Sequence, residues 1–328
     1  MSAITLHHGI SFPHPSHASE AHTADIYSIA VSSRHLISCS RDRSIRIWNL
    51  DGDGQQRLAH PALRGEHASS VLCCSVHEES DRFASSDVDG IVAVWRLSTA
   101  ELVGRWKAHA DSVLGLALGA KVLVTGGKDG AVKVWNVERT VAGEEPPFGL
   151  LGSMGAAVNA VVLSKDESDV FAGAGNGALR HWHLAGETKG RDFDGRRRGI
   201  CSLSLARDGK RVFSGHSGGR VGIFDVERAT ELVSFDAHAT SMARSVQAGA
   251  VGGREDLVVS GSYDGTVKIW MEQASGRWEL VSVMSLQQEF DAGDNRVLSV
   301  AFNQNVVFYC GQSPYVFARR IEASEGMR

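Results

Sequence analysis

The chain has 328 residues, of which 43% are hydrophobic and 22% charged, and 34 basic against 38 acidic side chains give a net charge of −4. This composition is ordinary for a folded globular protein, and the lack of excess positive charge argues against a general nucleic-acid-binding protein. The chain contains 36 glycines but only six prolines. Glycine in excess of its average share of about 7% favours short strands joined by tight turns.

Five cysteines, an odd number without C-x-x-C spacing, argue against a disulfide framework and against a cysteine zinc site. The N-terminus carries His7, His8, His14 and His17 in place of an apolar signal segment, and no zinc signature fits their spacing. No apolar run approaches the roughly 18 residues of a membrane span. We therefore expect a cytoplasmic and/or nuclear protein with no metal, no cofactor and no membrane association.

The first predicted strand lies in residues 3–12, and seven similar units follow it along the chain. Four units share a His, a Ser or Thr, an Asp four residues after the Ser or Thr, and a Trp six residues after the Asp. In chain order these residues are His22, Ser38, Asp42 and Trp48; His67, Ser85, Asp89 and Trp95; His109, Thr125, Asp129 and Trp135; and His238, Ser260, Asp264 and Trp270.

Three weaker units complete the series, and the Trp or equivalent positions recur every 40 to 49 residues. At the marked positions they hold Ala172, Asn176 and Trp182; Ser214, Gly218 and Phe224; and a last stretch from Arg296 to about Arg319. Loss of the marked residues in these units is explained either by sequence drift within a closed ring or by a partner or loop that supplies the missing contacts.

Each unit reads as a series of short strands, with Asp-Gly turns between β-branched runs that predict hairpins. No segment shows a sustained helical period, so helix is expected to be nearly absent. A single unit cannot bury both faces of its sheet, whereas radial stacking lets each sheet cover the next. The sequence predicts an all-β fold, a single seven-bladed β-propeller of four-stranded antiparallel blades.

This spacing of His, Ser/Thr, Asp and Trp resembles the WD-repeat (WD40) family over about residues 20–320, and residues 260–270, SGSYDGTVKIW, are close to its consensus. The resemblance implies that the four residues of a unit form a buried hydrogen-bonded chain from Trp through Ser/Thr and His to Asp. A His/Ser/Asp set also suggests catalysis. Four equivalent sets favour a structural role, because an enzyme needs one nucleophile.

The opening of the first unit, AHTADIYSIAV followed by SCSRDRSIRIW, is similar to the start of the WD-repeat scaffold subunit of the Ski (superkiller) RNA-decay complex. The similarity covers one unit. It implies a scaffold in RNA decay that joins a helicase to a helical-repeat protein.

The last unit ends near Ile321, with too little chain left for an outer strand. We expect residues 3–12 to supply that strand, because an open ring would leave two unpaired sheet edges. The predicted division of the chain is therefore a segment of residues 1–20 that supplies the closing strand, a propeller of residues 21–322 and a short tail of residues 323–328.

One rim of the propeller is the candidate partner-binding surface. It combines the residues just before each turn Asp, the residues three after each repeat His, and a run of three arginines: Asp25, Arg41, Ser70, Val88, Ser112, Lys128, Arg196, Arg197, Arg198, Ser241 and Tyr263. A mixture of Arg and Tyr around a depression suits the binding of proteins or peptides. The arginine run, near Lys189 and Arg191, suits an acidic or phosphorylated segment. Ordinary solvated turns are the alternative.

The sequence thus favours a non-catalytic scaffold, a monomeric propeller acting as a small subunit within a larger hetero-complex of proteins, without direct contact to nucleic acid. A propeller enzyme, either a hydrolase or a metal- or quinone-dependent oxidoreductase, is the alternative. Its only candidate cluster is His181, His183 and His216. Direct nucleic-acid binding is a third class, and no residue is predicted to be catalytic.

Overall fold

The computed structural model describes residues 4–6, 9–50, 58–138, 148–185, 190–194, 198–239, 241–251, 254–289, 295–303 and 305–323. Two short strands, β1 (Ile4–Leu6) and β2 (Ile10–Phe12), and a 3-10 helix (Pro15–Glu20) precede the blades. The blades follow in chain order: blade one, β3 (Ile26–Val31), β4 (His35–Ser40) and β5 (Ile45–Asn49); blade two, β6 (Val71–His77), β7 (Arg82–Asp87), β8 (Ile91–Arg96) and β9 (Leu102–Lys107); blade three, β10 (Val113–Leu118), β11 (Val122–Gly127), β12 (Ala131–Asn136) and β13 (Phe148–Ser153); blade four, β14 (Val158–Leu163), β15 (Asp169–Ala174), β16 (Leu179–His183) and β17 (Arg191–Asp192); blade five, β18 (Ile200–Leu205), β19 (Arg211–His216), β20 (Arg220–Asp225) and β21 (Thr230–Asp236); blade six, β22 (Ala243–Val251), β23 (Arg254–Ser262), β24 (Thr266–Glu272) and β25 (Trp278–Ser285); and blade seven, β26 (Val297–Asn303), β27 (Val306–Gly311) and β28 (Val316–Ala323).

These sheets form the predicted seven-bladed propeller. The first strand of each blade lies beside the first strand of the next, and β26 of blade seven contacts β3 of blade one, so the ring is closed. Within the described residues, helix is limited to α1 (Leu286–Glu289) and to short 3-10 segments. Blade one differs at its outer edge. There, isolated bridges from Leu58 to Trp48 and from Leu63 to Ile45 stand in place of a regular fourth strand.

The hydrophobic core is divided among the contacts between neighbouring blades, and each such contact in the described chain has its own buried cluster. The aromatic residue that ends most repeat units lies at the centre of a cluster. Trp135 is fully buried between blades two and three, and Phe224 occupies the same position between blades four and five. Each blade is therefore stabilised by its neighbours rather than by itself.

The N-terminal strands complete blade seven, as the sequence predicts. Ile4 of β1 pairs with Ala323, and Ile10 of β2 pairs with Ala318, both antiparallel along β28. Phe12 at the end of β2 is 2% exposed, and its ring lies 6.3 Å from Trp48 in an edge-to-face arrangement. The start of the chain therefore contributes both a strand and an aromatic side chain to the contact between its two ends.

Truncating Phe12 tests how far the closure stabilises the ring. We expect Phe12→Ala to lower the free energy of unfolding by about 3–5 kcal/mol, because it opens a cavity beside Trp48. Ile10→Ala is the matched control on the same strand, since Ile10 is 44% exposed. Urea denaturation measures both. Equal losses for the two variants would contradict a role of Phe12 in closure.

Candidate protein-binding rim and central channel

Three blades bring all four of their predicted residues within hydrogen-bond distance. In blade one, Trp48 Nε1 donates to Ser38 Oγ at 2.9 Å, His22 Nε2 lies 2.9 Å from that hydroxyl, and His22 Nδ1 lies 3.0 Å from Asp42. Blades three and six repeat this order with distances of 2.7–3.1 Å: His109, Thr125, Asp129 and Trp135; and His238, Ser260, Asp264 and Trp270. Each network satisfies a buried indole, hydroxyl and imidazole.

Blade two corrects one predicted residue. His67 Nε2 lies 2.8 Å from Ser85, and Trp95 donates to the same hydroxyl, as expected. The carboxylate, however, belongs to Asp87, whose Oδ2 lies 2.7 Å from His67 Nδ1. The prediction of Asp89 in this network is wrong. Asp89 is exposed at the hairpin turn, where it accepts a hydrogen bond from a serine hydroxyl.

The geometry of the second strand explains the exchange. Asp87 occupies the strand position that Gly127 occupies in blade three. A Cβ atom added to Gly127 would lie 2.3 Å from His109 Nδ1, so a side chain at this position is directed at the histidine. Blade two therefore reaches the histidine from the strand, and its turn aspartate is left at the surface.

Replacing each aspartate with alanine tests which of the two positions, strand or turn, supports the histidine. Asp87→Ala, and likewise Asp129→Ala in blade three, leaves a buried histidine N–H without an acceptor and is expected to cost about 1–3 kcal/mol of stability. Asp89→Ala is the control and should change stability by less than about 0.5 kcal/mol. Chemical denaturation measures all three. The assignment is wrong if Asp89→Ala proves as damaging as Asp87→Ala.

The networks of blades one and three hold a neutral histidine against an ionised aspartate. Burial, together with the nearby charge of Arg46, lowers the pKa of His22 to about 4 against the opposing hydrogen bond with Asp42. Burial alone would raise the pKa of Asp42, but hydrogen bonds from His22 and Ser44 keep it well below its usual range. Burial also lowers the pKa of His109.

We therefore expect the free energy of unfolding to fall on acidification at pH values above those at which the aspartates take up protons. A histidine in the unfolded chain has a pKa near 6.5, while that of folded His22 is about 4. Between these values the unfolded chain binds a proton that the folded chain does not. Stability is thus complete above about pH 6.5 and falls towards about pH 4, by up to about 1.4 kcal/mol per pH unit for this histidine. Urea denaturation across this range should give a shallower slope for His22→Gln, and an unchanged slope would refute this.

The weak fifth blade contains a substitute network of its own. His216 ends the second strand of blade five, the position that Asp87 occupies in blade two. Its Nε2 atom lies 2.7 Å from Ser214 Oγ, and its Nδ1 atom lies 3.1 Å from the carbonyl oxygen of Arg198. Gly222 faces it across the sheet, and a Cβ atom there would lie 3.1 Å from His216 Nε2. His216 is therefore part of the structural framework of the blade.

The three histidines of the alternative enzyme reading do not share one cluster of contacts. His181 Nε2 and His183 Nδ1 lie 2.6 Å and 3.1 Å from the same oxygen of Asp169, in blade four. His216 instead bonds within blade five. Among the described residues, no group of three metal-ligating side chains is placed to hold a metal ion.

Blades four and seven also replace the missing residues internally. In blade four the amide of Asn176 donates to the carbonyl oxygen of Met154 at 3.0 Å. In blade seven, Tyr309 and Arg319 occupy the Ser/Thr and Trp positions. Both donate to Glu289 Oε1 of α1, at 3.0 Å and, for Arg319 Nε, 2.9 Å. The sequence left open whether a partner or a loop supplies the contacts that these blades lack. In the structure, contacts within the chain supply them.

The structure brings together three of the four predicted rim pairs, each joined by one backbone hydrogen bond. These are Arg41 with Asp25, Val88 with Ser70 and Lys128 with Ser112, at 2.8–3.2 Å. The fourth prediction is wrong by one residue, because Tyr263 pairs with Met242 rather than Ser241. Blade six has one extra residue between His238 and its first strand, which shifts the pairing.

The predicted arginine patch is divided. Arg196 and Arg197, like Lys189, lie outside the described residues, whereas Arg198 is exposed at the entrance to blade five. Arg191, on the outer strand of blade four, donates to the backbone carbonyl groups of Glu227 and Arg228. These two residues lie in the turn between β20 and β21 of blade five. Of the described members, Arg198 alone therefore lies at the predicted rim.

The inner strands share a feature that the sequence analysis missed. Each has a bulge near its start, where the register shifts and one residue is left unpaired. These strands surround the axis of the ring, so the unpaired residues lie at the mouth of the central channel. Six of the seven are uncharged, and Arg244 is the exception: Tyr27, Leu72, Leu114, Asn159, Cys201, Arg244 and Leu298.

The Arg244 charge influences the pKa of two buried thiols on inner strands. Burial raises the pKa of Cys73, in blade two across the ring, to about 12, and the charge of Arg244 opposes that rise. Burial likewise raises the pKa of Cys201 in neighbouring blade five, again opposed by Arg244. Arg244 is half-buried, and no carboxylate of the described chain forms an ion pair with it. Aligning the repeats by their first strand would have revealed this single charged position.

Comparison with known families agrees with the geometry. The family model described as "WD domain, G-beta repeat" matches residues 14–49, 62–96, 100–136 and 229–271. These segments correspond to blades one, two, three and six, the blades that carry the complete His, Ser/Thr, Asp and Trp pattern. The chain therefore contains WD repeats in four places, within a seven-bladed β-propeller. The described part of the chain contains no helix with the length and apolar character needed to cross a membrane.

Among curated proteins, the chain is 26% identical over 267 residues to ribosome biogenesis protein ytm1 of Aspergillus oryzae, covering 78% of this chain and 51% of that protein. It is 21% identical over 259 residues to autophagy-related protein 16 of Arabidopsis thaliana, covering 78% and 48%. It is also 26% identical over 125 residues to a p21-activated protein kinase-interacting protein 1-like protein of Gallus gallus, covering 38% and 32%. The chain spans about half or less of the length of these relatives. Its resemblance to the Ski-complex subunit stays a prediction.

Proposed function

We propose that this protein is a non-catalytic scaffold whose rim binds an acidic segment of a partner protein, with a carboxylate or phosphate of that segment pairing with Arg244 at the mouth of the channel. The observation that carries the proposal is that Arg244 is half-buried and has no ion pair among the described residues. Partial burial deprives a charge of water, and a partner that supplies the opposite charge compensates for that loss.

The surroundings of the channel favour a protein partner. The rim combines charged side chains with exposed apolar ones such as Val88, which is 40% exposed. Arg41 and Lys128 have nearby carboxylates, at 4.0 Å and 3.4 Å, so their charges are partly compensated already. Arg244, which has no such carboxylate among the described residues, is therefore better placed than these two side chains to select an acidic ligand.

The relatives support the same class of function. The name of the Gallus gallus protein states an interaction with a protein kinase, and that of the Aspergillus oryzae protein states a role in ribosome biogenesis. We propose by analogy a small subunit of a hetero-complex in the cytoplasm and/or nucleus. An enzyme is less well supported, because His216 belongs to the framework of blade five. A net charge of −4 does not favour direct binding of nucleic acid.

Purification of the tagged chain from its native cells, with identification of the bound proteins, tests the proposal. We expect Arg244→Gln to lose the main partner, because the variant removes the charge and keeps a side chain of similar length. Arg277→Gln is the matched control. It removes an exposed arginine from the turn between β24 and β25, at the other end of blade six, and should retain the partner.

Thermal unfolding of both variants must remain close to that of the unmodified protein, so that loss of binding reports recognition rather than misfolding. Retention of every partner by Arg244→Gln would contradict the proposed channel site. Equal loss by Arg244→Gln and Arg277→Gln would contradict the proposed rim.

A further inference from the structure

The mouth of the central channel has an apolar half and a polar half. From blade seven through blade one to blade three, the unpaired bulge residues are Leu298, Tyr27, Leu72 and Leu114. Blades four to six contribute Asn159, Cys201 and Arg244 instead. We call the four large side chains of consecutive blades the apolar arc. Because the inner strands of blades six and seven are neighbours, Arg244 lies at one end of this arc.

The side chains of the arc are not part of the core between blades. In six blades the residue just before the bulge belongs to an interblade hydrophobic cluster, as Ile26, Val71 and Val113 do. None of the four arc residues belongs to, or packs against, one of the seven clusters of the described chain. Successive residues of a strand point in different directions, so the arc residues are directed away from that core and towards the channel.

Three residues of the arc are accessible to a ligand. Tyr27, Leu72 and Leu114 are half-buried, whereas Leu298 is 7% exposed. Tyr27 has neither a hydrogen bond nor a ring contact among the described residues. Tyrosine and arginine are the residue types that most often anchor a protein interface, and Tyr27 and Arg244 both lie at this mouth without a partner in the described chain.

Hydrogen bonds between blades hold the arc in place. Beside Tyr27, the hydroxyl of Ser28 accepts from the backbone N–H of Cys74 at 3.3 Å. Beside Leu72, the thiol of Cys73 donates to the carbonyl oxygen of Leu114 at 3.0 Å. The arc is therefore formed before a ligand arrives, which lowers the ordering cost of binding.

The single charge at the mouth determines which ligand complements it. Arg244 is half-buried and has no hydrogen bond or ion pair in the described chain, and the other six bulge residues are uncharged. An acidic group alone would compensate Arg244 but leave the apolar arc in contact with water. An apolar group alone would cover the arc but further deprive Arg244 of water. A ligand that carries both groups complements the whole mouth.

We propose that the channel mouth recognises two side chains of one extended partner segment together. An Asp or Glu pairs with Arg244, and a large apolar residue, such as Leu, Met or Phe, packs on Tyr27, Leu72 and Leu114. The inference rests on the proposed function and deepens it, because it adds a second determinant to the same site. Segments with only one of the two side chains are bound more weakly.

Selection from a phage-displayed library of random twelve-residue peptides tests this proposal. We expect the full chain to enrich peptides that combine an Asp or Glu with a large apolar residue at a constant spacing. Leu72→Ala and Leu114→Ala should each weaken binding of a synthetic enriched peptide at least fivefold by isothermal titration calorimetry. Leu280→Ala is the matched control, because Leu280 is a 45% exposed leucine on the outer strand of blade six, and should leave the affinity within twofold.

Variants of the enriched peptide separate recognition from a structural role. Replacing its apolar residue with Ser should weaken binding to the unmodified chain but have little further effect on Leu114→Ala. Replacing its carboxylate with the amide should likewise have little further effect on Arg244→Gln. Such non-additive losses identify direct pairs, whereas general damage to the site would give additive ones. Additive losses in both tests would overturn the proposal.

Thermal unfolding checks that the variants keep the fold. Leu72→Ala and Leu114→Ala should melt close to the unmodified protein, because neither leucine contributes to an interblade cluster. If one of the two is destabilised, the other tests the same arc.

The two proposals can fail separately. Enriched acidic peptides that require Arg244 but bind Leu72→Ala and Leu114→Ala normally would overturn the apolar determinant and leave the proposed function intact. Peptides that require the arc but bind Arg244→Gln normally would contradict both proposals. If the unmodified chain enriches no peptide, the mouth recognises no linear acidic segment, and both are contradicted.

Discussion

The mutual burial of neighbouring sheets is the constraint on which this structure depends. Each blade has two faces, and the core consists of clusters between blades, so no blade is stable without its neighbours. The contact between the first and last blades is therefore as necessary as any other. The chain forms it by pairing β2 with β28 and by placing Phe12 against Trp48. The ring that results is a rigid support, in which surface side chains keep fixed positions relative to one another.

The internal networks show which part of the fold a local pattern can specify. Residues such as Trp48, Ser38 and His22 recur at fixed spacing, so the sequence predicts the blades, and the resemblance to the WD-repeat family implies their hydrogen-bonded partners. The carboxylate is less predictable. It can come from the turn, as in blade one, or from the strand, as Asp87 does, because both positions are directed at the same histidine nitrogen. His216 uses the strand position with a different residue type, which a search for the repeat pattern cannot identify.

The candidate binding sites are less evident in the sequence for a different physical reason. The rim pairs follow from hairpin geometry and could be predicted, apart from the one-residue shift at Ser241 caused by an insertion after His238. Arg244 and Tyr27 could not be identified in this way. Their significance depends on distant chain segments, since Arg244 is the one charged residue among the bulges of the seven inner strands and Tyr27 belongs to an apolar arc formed by four blades. Sequence spacing fixes where such residues lie within a blade, but the closed ring determines what surrounds them.

Taken together, the framework and the rim describe a protein that recognises others through a few positioned polar groups on an otherwise stable ring. Specificity in such a surface comes from groups whose hydrogen bonds or charges are completed only by the right ligand. A structure of the chain bound to its principal native partner tests this account most directly. We expect an acidic group of the partner within 4 Å of the Arg244 guanidinium, on the face that carries the turn residues Arg41 and Tyr263. A partner seated on the outer strands or on the opposite face, with Arg244 untouched, would contradict it.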